Sequence, residues 1–190
     1  LMRVAPVESA LEGIEGVTDD ERISHYLNKY DRFSVAPCSC RATRRVLDQG
    51  CGHLEEDMCI QMGKGAEHFI RTGRAREITR EEALEILKRA EDNGLVHNLP
   101  NIEEVGDSAA ICNCCGCSCF GLRAGLMFGA RDAIRSNFEA RIDETKCVAC
   151  GMCVENCQAN ALKLGQKLCT KEPLAQPEQY KKMSTSLVWS

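Results

Sequence analysis

The chain has 190 residues, enough for one sizeable domain or two small ones, with 44% apolar and 27% charged residues and a net charge of −4. That balance excludes a nonspecific nucleic-acid binder, which needs a basic surface, and no apolar run approaches the roughly 20 residues of a membrane span. Fourteen cysteines are the departure from an ordinary composition, and they crowd together as Cys112, Cys114, Cys115, Cys117 and Cys119 do. Neighbours in a tight loop seldom meet the Cα spacing of a disulfide, so thiolate ligation of metal is expected, in a reducing compartment such as the cytoplasm.

In chain order, Thr18 and Glu21 have capping-box spacing and precede Ile23, Tyr26, Leu27 and Tyr30, which predicts a helix over 19–30. Shorter helices are expected from Cys40 through Arg44 to Leu47, ending at Gly50, and over 63–73. A second capping box, Thr79 with Glu82, opens a helix over 79–93 whose apolar face is read as Ala83, Leu84, Leu87 and Ala90, with Gly94 as its stop. Extended pieces are expected at 94–96 and 109–111, a glycine-interrupted helix over 121–136, and strands over 138–142 and 161–168. The stretch from Pro173, with Val188 and Trp189 near its end, reads as an extended arm.

The most specific motif is Cys147-Val-Ala-Cys150-Gly-Met-Cys153-Val-Glu-Asn-Cys157. This C-x2-C-x2-C-x3-C spacing lets a loop wrap an iron–sulfur cubane, and Gly151 allows backbone to pass close to the sulfides. Zinc favours two knuckles separated by a longer loop. With Ile142-Asp143 before it and Asn160-Ala161-Leu162 after it, the segment resembles half of a bacterial [4Fe–4S] ferredoxin, departing at Gln158, where that motif carries proline. The resemblance implies that Cys157 reaches toward a second cluster, shared with Cys112, Cys114, Cys115, Cys117 and Cys119, of which one is spare.

A third group is Cys38, Cys40, Cys51 and Cys59, with His53 as an alternative ligand or hydrogen-bonding neighbour. Four thiolates without cubane-specific spacing suit a [4Fe–4S] cluster or zinc. From Cys38 to Leu164 the chain resembles cysteine-rich 4Fe-4S-binding proteins and oxidoreductase subunits of anaerobic bacteria. Two or three [4Fe–4S] clusters are expected; three would take twelve of the fourteen cysteines and leave Cys169 with one other. Arg41, Arg44 and Arg45, and the stretch Arg71, Arg74, Arg76 and Arg80, either offset cluster charge, dock an acidic partner or form solvated faces.

The expected fold class is α+β: a mainly helical cysteine-containing domain over 1–107, a small ferredoxin-like iron–sulfur domain over 108–170, and an arm over 171–190. Phosphate-loop, dinucleotide and zinc-protease motifs are absent from the sequence. The expected function is electron transfer, as a protein or subunit relaying single electrons between a donor and a larger oxidoreductase. A regulatory DNA-binding protein, using the helix from Thr79, is the alternative, and an oxidoreductase with an open iron site a third.

Overall fold

The computed structural model describes residues 2–100, 107–130, 134–142, 147–158 and 162. The chain divides into two compact units, Leu1–Ser136 and Asn137–Ser190.

The first unit is built on a seven-stranded sheet. Its strands are β1 (Met2–Ala5), β2 (Phe33–Ala36), β3 (Cys59–Gly63), β4 (Arg76–Ile78), β5 (Val96–Pro100), β6 (Ser108–Cys114) and β7 (Ile134–Arg135). They lie in the order β4-β2-β3-β6-β5-β1-β7, antiparallel except for the β1–β7 pair. Helices α1 (Ile23–Lys29), α2 (Ser39–Val46), α3 (Lys64–Arg71), α4 (Arg80–Asp92) and α5 (Phe120–Phe128) complete it, and α6 (Met152–Asn156) belongs to the second unit. The chain is thus of mixed α/β class, with seven strands and six α-helices among the described residues.

Side chains alternate across a strand, and here the alternation separates core from chemistry. Ile60 pairs with Val35 and Ile111, and Phe33 with Met62 and Ile78; all are buried and form the core with Leu87, Ile86, Ala83 and Ala90 of α4. Cys59 pairs with Cys112 one step along, on the opposite face, where Cys114 also projects.

The α4 capping box is present: Glu82 N–H donates to Thr79 Oγ1 and Thr79 N–H to Glu82 Oε2, each at 3.1 Å. Its buried face is Ala83, Ile86, Leu87 and Ala90, while Leu84, read as part of that face, is exposed. At about 100° per residue, position 84 falls about 60° beyond the arc spanned by 83, 87 and 90, and Ile86 lies nearer, about 40° beyond its other edge. At the end of β3, Gly63 has φ 62° and ψ −134°, and any Cβ there would overlap the Asp107 carbonyl and approach the Tyr30 ring to 2.8 Å.

Several expectations need correction. The region before residue 107 is organised on strands as much as on helices. Residues 108–136 belong to the first unit, because β6 is hydrogen-bonded on both edges, to β3 and β5. The helix expected over 121–136 stops at Phe128, where Gly129 takes a left-handed conformation. Residues 138–142 form no strand. The strand expected over 161–168 and the arm over 171–190 lie outside the described residues, apart from Leu162.

Candidate metal centres

Cysteines from both halves of the first unit converge. None of the thirteen cysteines from Cys38 to Cys157 is in a disulfide. Cys38 caps the start of α2, with its N–H donating to the Glu55 carbonyl at 2.8 Å, and Cys40 lies in the first turn. Cys59 starts β3, Cys112 and Cys114 end β6, and Cys119 caps α5. Their thiols form a continuous run of contacts, Cys38 to Cys40, Cys40 to Cys119, Cys119 to Cys114, Cys114 to Cys112 and Cys112 to Cys59.

Two thiols of the run, Cys40 and Cys59, are favoured as thiolates, and the other four hold their protons. Hydrogen bonds from Cys119 and then Cys38 hold the Cys40 thiol far below its ordinary value, helped by the Phe120 backbone N–H and the Arg41 charge. The Cys112 thiol and the Gln61 amide, whose Nε2 is 3.2 Å from the sulfur, lower Cys59. Donation to Cys112 and burial push Cys114 up to about 12. Contact with Cys40, then burial, raises Cys38, and contacts with Cys114 and Cys40 raise Cys119. Cys112 also rises to about 12: the Cys114 thiol favours its ionisation, but Cys59 and burial outweigh that. So crowded a set cannot ionise completely without added positive charge, which metal supplies.

A second set is tighter and separate. The sulfurs of Cys51, Cys115 and Cys117 lie within 4.8 Å of one another, the one such trio of metal-ligating side chains among the described residues. Cys51 and Cys115 Sγ are 3.8 Å apart, and Ser118 Oγ donates to Cys51 Sγ at 3.1 Å. Burial pushes the Cys51 thiol up, but Ser118, the His53 backbone N–H and the Cys117 and Cys115 thiols together bring it down to about 7. Burial and the Cys51 and Cys115 thiols raise Cys117 to about 12.

Arg41, only 3% exposed, stands behind Cys115. Its Nη1 is 3.7 Å from Cys115 Sγ, and its two terminal nitrogens hold the Asn113 carbonyl at 3.0 and 2.7 Å. Asn113 is held in turn by buried His97, Nδ1 to Oδ1 at 2.7 Å, and His97 Nε2 meets Glu91 at 3.3 Å. The other arginines singled out in the sequence have different partners. Arg45 pairs with Glu55 at 2.9 Å, Arg44 bonds Gln49, Arg76 pairs with Asp57 and Glu82, and Arg80 bonds Asn28.

Nearness in sequence therefore did not give the spatial grouping. Cys51 leaves Cys38, Cys40 and Cys59 to join Cys115 and Cys117, while Cys112, Cys114 and Cys119 join the first three. His53 Nδ1 lies 3.2 Å from Asn93 Oδ1, as a hydrogen-bonding neighbour. The role of Arg41 was hidden in the sequence because it lies next to Arg44 and Arg45, which are not buried.

In the second unit Cys147, Cys150 and Cys153 are exposed and Cys157 is half-buried. Gly151 has φ 84° and precedes α6, with Val154 and Glu155 N–H returning to its carbonyl. Positive φ at Ala149 and Gly151 curls the loop on either side of the second cysteine, Cys150.

Comparison with known proteins bears on this segment. The 4Fe-4S binding domain family matches residues 140–163, which contain Cys147, Cys150, Cys153 and Cys157. The match implies a [4Fe–4S] cluster, for which the four thiols of this loop are the fitting donors. No curated protein and no solved structure matches the chain.

Proposed function

We propose that this chain is an iron–sulfur electron carrier or subunit, relaying single electrons through [4Fe–4S] clusters between a redox donor and a larger oxidoreductase. The observation that carries the reading is the four-cysteine loop 147–157 inside the matched 4Fe-4S segment. A cubane supplies one-electron chemistry, at a potential set by hydrogen bonds to its sulfurs and by solvent exposure. Three of the four loop cysteines are exposed, and Val148 and Met152 beside them are 81% and 63% exposed. An apolar rim around an accessible cluster suits transient docking of a redox protein.

A second cluster belongs on the run Cys38, Cys40, Cys119, Cys114, Cys112 and Cys59. No three of these sulfurs lie within 4.8 Å of one another. Cubane ligands each bind a different iron and so stand further apart than the ligands of one ion, and four of the six suffice.

The test is anaerobic purification followed by iron and acid-labile sulfide analysis, with EPR of the reduced protein during a potential titration. About eight irons and eight sulfides per chain and reversible one-electron steps are expected. A colourless protein, or one with zinc in the 147–157 loop, overturns the reading.

A further inference from the structure

We infer that Cys51, Cys115 and Cys117 form a mononuclear site for a thiophilic divalent cation, zinc by its chemistry, distinct from the cluster sites. The sulfur spacing carries the argument. Around a tetrahedral ion with metal–sulfur bonds of about 2.3 Å, neighbouring sulfurs lie about 3.8 Å apart. Cys51 and Cys115 stand at 3.8 Å, and all three sulfurs fall within 4.8 Å, which brings them onto one ion. A cubane would separate them by placing each thiolate on its own iron.

The surroundings supply what such an ion needs. Arg41 is buried, its two terminal nitrogens are fixed by the Asn113 carbonyl, and one of them points at Cys115 Sγ. Its Nε is a buried donor without a partner. Three thiolates with one divalent cation leave a single negative charge, which the Arg41 guanidinium balances. Ser118 orients Cys51 through a hydrogen bond to its sulfur, which fixes the direction in which the ligand points. The fourth coordination position is open to water or an external ligand, since no other His, Cys, Asp or Glu among the described residues joins the trio, and Cys117 is exposed. Three protein ligands with an open fourth position are the pattern of reactive rather than purely structural zinc.

The site is independent of the electron-transfer reading, and one preparation tests the two separately. Full-length protein produced with iron and zinc supplied and purified anaerobically is analysed for zinc, iron and sulfide on the same sample. One zinc per chain is expected. Cys117→Ser, at an exposed position, should lower zinc severalfold while iron and sulfide stay unchanged. Loss of about four irons and four sulfides in that variant would make the trio cluster ligands and overturn the proposal. Unchanged zinc in the variant, or no zinc in the parent protein, would overturn it as well. Should the variant fail to fold, cobalt(II) added to zinc-depleted parent protein gives the reading instead: intense thiolate-to-cobalt absorption is expected, and its absence sinks the assignment. Failure of the electron-transfer reading would appear elsewhere, as missing iron with zinc still present.

Discussion

Cys59 and Cys112 face each other across the β3–β6 ladder, and one residue along, Ile60 and Ile111 face each other on the opposite side of the sheet. A one-residue slip of β3 against β6 would turn Cys59 into the core and Ile60 out of it. Core packing and metal ligation are therefore set by one register.

Truncating the core side of that ladder should loosen the metal side. Ile111 is fully buried, so Ile111→Ala is expected to lose about 3 kcal/mol of stability. Urea unfolding measures this, and partial loss of iron from the first unit during gel filtration should accompany it. Stability equal to that of the parent protein would contradict the packing described.

Arg41 makes its hydrogen bonds out of contact with water. Arg41→Met removes both donors to the Asn113 carbonyl and leaves that acceptor buried. The expected loss is about 2 to 3 kcal/mol, seen as a lower urea midpoint. Arg41→Lys should recover part of it, because an ammonium restores charge and one donor without the fork.

Gly63→Ala combines a positive-φ penalty with overlap against backbone, the Asp107 carbonyl, which cannot rotate aside as a side chain can. A loss of about 3 kcal/mol is expected. Gly73, also at positive φ but with nothing within 4 Å of a Cβ, is the control, and Gly73→Ala should cost about 1 kcal/mol. Equal effects at the two sites in thermal melts would refute the close approach at Gly63.

The α4 cap gives a dependence on pH. Thr79→Ala should cost about 1 kcal/mol. Glu82 is held below its ordinary value of 4.5 by the Thr79 backbone N–H first and then by Arg76. Its folded value lies below its unfolded one, so its contribution is present above pH 4.5 and is lost as the pH falls through the folded value. Glu82→Gln should therefore differ from the parent protein most near neutral pH, and the gap should close in acid. A gap that widens in acid would reverse the assigned direction.

How much of this could be read from the sequence depended on how local the signal was. The α4 helix was legible at both ends because Thr79, Glu82 and Gly94 act within their own turns. Helices α2 and α3 were found for the same reason. Strand β2 was not, since Phe33, Ser34, Val35 and Ala36 are all buried and leave no alternation to detect. In β3 the alternation exists, but it covers five residues only and Cys59 reads as a ligand. The loop of Cys147 to Cys157 was legible because its donors are consecutive in one turn of chain. The sets containing Cys51 and Cys59 were not, because β3 and β6 bring residues more than fifty positions apart into contact, and spacing along the chain carries no record of that pairing.

Strand β6 carries Cys112 and Cys114 to one sulfur set, and Cys115, the residue after its end, enters the other. During synthesis, the segment with Cys38, Cys40, Cys51 and Cys59 emerges holding half of the first set and one donor of the second. The trio lacks a donor until residue 117, and the run until residue 119, has left the ribosome, and both need β6 inserted between β3 and β5. Loading of both centres is thereby ordered after the sheet has closed, and a nascent chain stalled before that point offers scattered thiols to oxidants rather than finished sites to metal.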